Sequence, residues 1–159
     1  MLVVSVLSYP FPNRSAMENR THTEAMFPAR LSAWRTAREF LERFCAKASL
    51  ARTPSLRLNL VLEELFTNTV NHGHRGDCDF PIWISVTANE SEVTITYLDQ
   101  CPPFNPLAMS KAQLDLPLDE RKIGGLGVYL TTELTVASDY AYVYGRNRLR
   151  LVLPAQKHI

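Results

Sequence analysis

The stretch that decides the reading of this chain is Leu60-Val61-Leu62-Glu63-Glu64-Leu65-Phe66-Thr67-Asn68-Thr69-Val70-Asn71-His72-Gly73. Leu58, Val61, Leu62, Leu65, Thr69 and Val70 recur at helical spacing and form one buried stripe. Glu64 and Asn68 lie one helical turn apart and share a face, with Asn71 and His72 a further turn along. A carboxylate and an amide oxygen stacked in this way suit a hard cation such as Mg²⁺, or a general base beside one. Glu63 points about 100° away around the helix, which makes Glu64 the better candidate. On this segment alone the plainer reading, a solvated polar face on an amphipathic helix, is favoured. The segments downstream change that balance.

Tyr97-Leu98-Asp99 ends a strand-like run and leads into Gln100-Cys101-Pro102-Pro103-Phe104-Asn105-Pro106-Leu107. Further on, Arg121-Lys122-Ile123-Gly124-Gly125-Leu126-Gly127-Val128-Tyr129-Leu130 opens an apolar, helix-like stretch. Glycines ahead of a helix let backbone N–H groups approach a phosphate, and the helix N-terminus favours negative charge. Gly-Gly-x-Gly alone is a weak signal and as often marks a loop. In the order Glu-x-x-x-Asn, then Asp at a strand end, then Gly-Gly-x-Gly, it is specific.

That order resembles the ATP-binding domain shared by histidine kinases, gyrase and the bacterial anti-sigma-factor serine/threonine kinases, the GHKL superfamily of histidine-kinase-like ATPases. The resemblance is strongest to the compact anti-sigma-factor kinases. It is carried by Glu64 to Gly73, Asp99 to Pro106, Gly124 to Gly127 and Gly145-Arg146-Asn147, and spans most of the chain.

The resemblance implies a Bergerat-type ATP-binding fold and a set of roles. Asn68 would coordinate Mg²⁺ bridging the nucleotide phosphates, and Glu64 would accept the proton of an incoming serine or threonine hydroxyl. Asp99 would accept a hydrogen bond from the adenine exocyclic amine. Gly124, Gly125, Leu126 and Gly127 would cradle phosphates, with residues 107–123 as a lid ending in Arg121 and Lys122. Asn71, His72, Cys101 and Arg121 complete the expected nucleotide contacts. The implied function is phosphorylation by Mg-ATP of a small anti-anti-sigma (STAS-domain) protein, with a sigma factor as competing partner and commonly a homodimer. The alternative is a regulatory binding module of the same fold without phosphotransfer.

Three positions depart from the family pattern. Cys101 stands where glycine is usual two residues after the Asp, adding a Cβ and a thiol beside the base. Arg150 takes the place read as that of a last-strand threonine that assists at the adenine. Val136 replaces an acidic residue common after the Gly-rich helix.

Composition agrees with a single soluble domain long enough for a real core, at 159 residues and 46% hydrophobic. A net charge of +1 makes no electrostatic case for nucleic acid or an anionic membrane. Cys45, Cys78 and Cys101 cannot all pair and lack metal-ligand spacing, which fits a reducing cytoplasm. His72, His74 and Cys78 make an incomplete ligand set and read as surface or capping residues.

Residues 1–22 read as an extension, whether an added strand, a partner-contacting arm or a disordered segment, and 23–159 as the ATP-binding domain. His22 to Phe27 reads as a strand, and Pro28 to Lys47 as a helix with a stripe of Leu31, Trp34, Ala37, Leu41, Phe44 and Cys45. Thr53-Pro54 is read as a helix start and Gly73 as its stop. Ile82, Ile84 and Val86 alternate, as do Val93 and Ile95, across a turn at Asn89-Glu90-Ser91. Tyr140, Tyr142 and Tyr144 alternate as sheet packing and turn through Gly145-Arg146-Asn147 into Leu149, Leu151 and Leu153. The expected architecture is α+β: a two-layer sandwich with a mostly antiparallel or mixed sheet and three or so helices on one face.

Overall fold

A computed structural model describes residues 20–108 and 133–155. Strand β1 (Thr21–Pro28) is followed by helices α1 (Trp34–Lys47) and α2 (Arg52–Asn68), then strands β2 (Pro81–Ala88), β3 (Glu92–Asp99), β4 (Ala137–Val143) and β5 (Arg146–Pro154). The strands form one sheet in the order β1-β2-β3-β5-β4, and every pairing is antiparallel. Helices α1 and α2 cover one face, so the α+β two-layer expectation holds. The Gly-rich segment expected to open a third helix lies outside the described residues.

Alternation in β2, β3 and the first part of β5 divides the two faces, while Val152 is buried as well as its neighbours Leu151 and Leu153. Ile82, Ile84, Val86, Val93, Ile95, Tyr97, Leu149, Leu151 and Leu153 turn inward. Against them α1 sets Ala37, Phe40, Leu41, Phe44 and Cys45, and α2 sets Leu58, Val61, Leu62 and Phe66. Phe27 of β1 meets Phe40 of α1 edge-on across the layers, and Trp34 of α1 packs on Phe66 of α2 within the helix layer, each pair with centroids 5.6 Å apart. On the far face, Arg146 lies over the Trp83 ring at 4.1 Å.

The boundaries differ from the sequence reading at four places, each for a local reason. The first helix does not begin at Pro28. β1 runs through that residue, Arg30 is extended and a 3₁₀ turn at Leu31–Ala33 intervenes. The backbone there is tied across to the strand entry, Ala29 N–H donating to Phe80 O and Cys78 N–H to Ala29 O. Helix α2 is capped by Ala51, not Thr53. Pro54 then falls within the first turn, where its missing N–H would have no intrahelical partner anyway.

Gly73 does not end the helix in a left-handed conformation. A π turn over Thr69–Gly73 follows α2, with His74 N–H donating to Thr69 O at 2.9 Å, and the left-handed residues are Arg75 and Gly76. Finally, the β4–β5 turn is Tyr144-Gly145, with φ 53° and 73°, a two-residue connection between the paired Val143 and Arg146. Tyr144 is therefore 98% exposed rather than packed on the sheet. Arg146 and Asn147 belong to β5, which sets Asn147 opposite Asp99.

Helix α2 gives a direct stability test, because Leu62 is fully buried and Leu56 is 58% exposed on the same helix. Leu62→Ala is expected to cost about 2–5 kcal/mol in chemical denaturation. Leu56→Ala should stay within about 0.5 kcal/mol of wild type.

Candidate functional site

The end of β3 and the end of α2 meet at Asp99. Its carboxylate is 8% exposed and faces the helices. Oδ1 accepts from the Cys101 N–H at 3.0 Å and from Asn147 Nδ2 at 2.8 Å, while Oδ2 accepts from Thr69 Oγ1 at 3.0 Å. Thr69 has one hydroxyl proton, and a carboxylate only accepts, so that proton belongs on the Asp99 bond. The Thr69 oxygen is then the acceptor for Tyr97 OH, 2.8 Å away. Burial raises the Tyr97 phenol well above its ordinary pKa, with Asp99 adding to the rise, so Tyr97 stays a proton donor.

Asn147 is a hub. Besides Asp99, its Nδ2 reaches Cys101 O and Pro102 O, both at 3.1 Å. Its Oδ1 accepts from Phe104 N–H at 3.0 Å and from Tyr140 OH at 2.7 Å. A flipped carboxamide would set oxygen against three acceptors, so the orientation is determined by its surroundings. The turn after β3 is thus stapled to the start of β5.

Glu64 and Asn68 share a face as the spacing predicts. Asn68 Nδ2 donates to Glu64 Oε1 at 3.2 Å, and both side chains are half-buried while Glu63 is exposed. Because Glu64 only accepts, it holds the amide nitrogen. Asn68 Oδ1 has no hydrogen-bond partner among the described residues, and a neutral amide oxygen suits a hard cation. Thr69 follows Asn68 directly, so the same helix end carries both this pair and the anchor of Asp99. Asn71 and His72 sit exposed on the π turn. Single π turns of this kind are frequent at functional sites.

Cys101 is buried at 5% exposure, its Sγ directed to Thr69 O at 3.8 Å. Burial pushes its thiol pKa far up, and the Asp99 charge adds to that rise. A Cβ built on Gly73 would collide with this sulfur and would lie 3.1 Å from the Cys101 Cβ. The thiol therefore occupies space that Gly73 leaves empty, beside the helix end.

Arg150 is not the last-strand residue at this site. It is exposed, pairs with Thr96 and lies on the sheet face away from the helices; the position that reaches Asp99 is Asn147. Val136 is exposed, its N–H donating to Val152 O. His74 stacks on Phe80 with centroids 5.3 Å apart. Arg121, Lys122, Gly124, Gly125, Leu126 and Gly127 lie outside the described residues, as do positions 109–123 of the expected lid.

A family model for the histidine kinase-like ATPase domain matches residues 27–153. The chain belongs to the histidine kinase-like ATPase family. Among solved structures, it is similar to that of the RsbU and RsbW domains of Rv1364c from Mycobacterium tuberculosis, with TM-score 0.57 and 16% identity. The match covers 87% of this chain and 34% of that one, so this chain spans about a third of the solved protein's length. At that identity the likeness is one of fold. No curated protein sequence is significantly similar to the chain. No helix among the described residues is long and apolar enough to cross a membrane.

Asn147, Thr69, Tyr97 and Tyr140 were not singled out from sequence as site residues. The sequence pattern places Thr69 in the apolar stripe. The Gly-x-Asn pattern reads Asn147 as a turn residue, whereas its alternation with Leu149, Leu151 and Leu153 places it on the inner face.

The Gly73–Cys101 contact makes a double-mutant test of this packing. Gly73→Ala should destabilise the protein by about 1–3 kcal/mol through overpacking. Combining it with Cys101→Gly should recover part of that loss, with a coupling of about 0.5–3 kcal/mol in urea unfolding. Strict additivity would contradict the contact.

Proposed function

We propose that this chain is a Mg-ATP-dependent serine/threonine protein kinase of the anti-sigma-factor type, acting in the cytoplasm on a STAS-domain anti-anti-sigma protein. A sigma factor would be its competing partner, and a homodimer its working form. The observation that carries the nucleotide half of this reading is the Asp99 carboxylate. Among the described residues its Oδ2 has one donor, Thr69, which leaves an acceptor position open beside the α2 terminus that carries Asn68 and Glu64. A buried carboxylate offering an acceptor suits an amino-purine and disfavours an oxo-purine. The kinase and partner half rests on the motif resemblance. The fold shared with the RsbU and RsbW domain structure is compatible with it.

The chemistry assigned to these residues is positional and electrostatic. Bound Mg-ATP would supply the transferable phosphoryl group and neutralise its charge. Asn68 Oδ1 would hold the cation while its Nδ2 stays on Glu64. Glu64 would take the proton of the attacking hydroxyl. Asp99, held by Thr69, Cys101 and Asn147, would hold the base in one orientation. Residues 23–159 would make up this unit, preceded by an extension.

ATP at a hundred times its Kd should stabilise the protein by about 2.7 kcal/mol, read as a rise in Tm. The Mg²⁺-dependent part of that rise should vanish in Asn68→Ala. Glu64→Gln should keep the rise but lower phosphate transfer to a purified STAS-domain partner by about 10²–10⁴-fold. ATP binding without transfer by the wild type to serine or threonine would turn the assignment toward a binding module.

A further inference from the structure

We infer that the sheet face turned away from the helices holds a docking surface for an acidic segment of a partner protein, with Trp83 as its apolar anchor and Arg146, Arg148 and Arg150 as its charged rim. An antiparallel sheet covered on one side normally shows water a polar face. Part of this face does so: Ser85, Thr87, Thr94 and Thr96 stand on it at alternate positions of β2 and β3. The row nearest Asp99 does not. Met26 pairs with Trp83, Trp83 with Leu98, Leu98 with Arg148 and Arg148 with Ala141, so one line of side chains crosses the sheet from β1 to β4. Met26 is 62% exposed, and Val143, paired with Arg146 beyond the end of that row, is 38% exposed.

The charges on this face favour one kind of occupant. Arg146 reaches across β3 and lies over the Trp83 ring. Among the described residues neither Arg146 nor Arg150 has a hydrogen-bond acceptor or a carboxylate partner. Arg148 has Asp139 at 3.6 Å, with both side chains about half exposed. The other acids of the face stand apart from these arginines: Glu24 on edge strand β1, 3.8 Å from His22, and Glu92 at the far end of β3. A guanidinium stacked on an indole has its donors fixed in a plane and has already lost much of its side-chain freedom. Trp and Arg are also the residue types that dominate interface energies. A segment carrying apolar side chains between carboxylates would cover the row and pair with the arginines. The β4–β5 turn gives independent support. Tyr144, in the turn between Val143 and Arg146, is 98% exposed at φ 53°, a left-handed position that Asn or Gly adopts more readily. Contact with a partner accounts for a tyrosine held there against its backbone preference.

The test is titration calorimetry of the full chain with a soluble peptide of leucine and glutamate, and with its counterpart carrying glutamine for every glutamate. The chain has two tryptophans, so in a Trp34→Phe background Trp83 fluorescence reports binding at the proposed place. The glutamate peptide should bind and shift Trp83 emission to the blue. Its Kd should rise on the order of tenfold in Arg146→Gln and in Trp83→Thr, and stay unchanged in Arg52→Gln on the helix layer. The glutamine peptide should bind about tenfold more weakly, and added salt should narrow that difference. Circular dichroism and Tm check each variant; should Trp83→Thr not fold, Arg146→Gln and Arg150→Gln decide. No binding of the glutamate peptide, equal affinity for the two peptides, or binding indifferent to these changes overturns the proposal. Sedimentation tests the rival occupant. A wild-type dimer that Trp83→Thr and Arg146→Gln both turn into monomer assigns the face to a second copy and also overturns it. A monomer, or a dimer that these changes leave intact, is the result expected.

Discussion

Everything at this site depends on one buried carboxylate finding its donors. Asp99 ends β3 inside the protein, where an unpaired charge would cost several kcal/mol, on the order of the stability of a small domain. Three donors offset that cost, and each comes from a different part of the fold: Thr69 from the π turn after α2, Cys101 from the turn after β3, Asn147 from β5. The pairing of β3 with β5 supplies the last of these, because their register sets Asp99 opposite Asn147. That register in turn needs the tight Tyr144-Gly145 turn, which delivers β5 with Asn147 inward and Arg146, Arg148 and Arg150 on other positions of the alternation.

The departure at Cys101 is resolved by the same packing. Where the family has glycine, this chain carries a thiol that lies under the site, against Gly73 and Thr69 O. A small residue at 73 and a larger one at 101 exchange volume across the interface between the π turn and the post-β3 turn. Its raised pKa marks Cys101 as a packing residue with little thiolate character.

Much of the fold was legible because its signals are local. The alternation of Ile82, Ile84 and Val86 and the stripe of Leu58, Val61 and Leu62 both mark one buried side, and the layer solution follows. Glu64 and Asn68 were legible for the same reason, since helical spacing alone sets them side by side. The helix starts were less legible. The stretch around Arg30 is held by long-range ties, Ala29 to Phe80 and Leu31 N–H to Asp77, that no local pattern announces. The sequence reading puts Arg150 at the last-strand place, and β5 shows the difference: Asn147 and Arg150 stand an odd number of residues apart, so their side chains lie on opposite faces of the sheet. At Asn147 two local signals compete, the alternation with Leu149 and Leu151 and the turn propensity of Gly-x-Asn, and the strand pairing decides for the first.

The central claim is that Asp99 recognises an amino group on a purine, and the most direct test removes only that group. Calorimetric Kd values of wild-type protein would be compared for Mg-ATP and for purine ribonucleoside triphosphate, which keeps the ring, ribose and phosphates but lacks the 6-amine. Binding of the analogue should be weaker by about tenfold or more, the worth of a hydrogen bond to a charged acceptor. Equal affinity for the two would contradict the account, whatever the chain does with its phosphates.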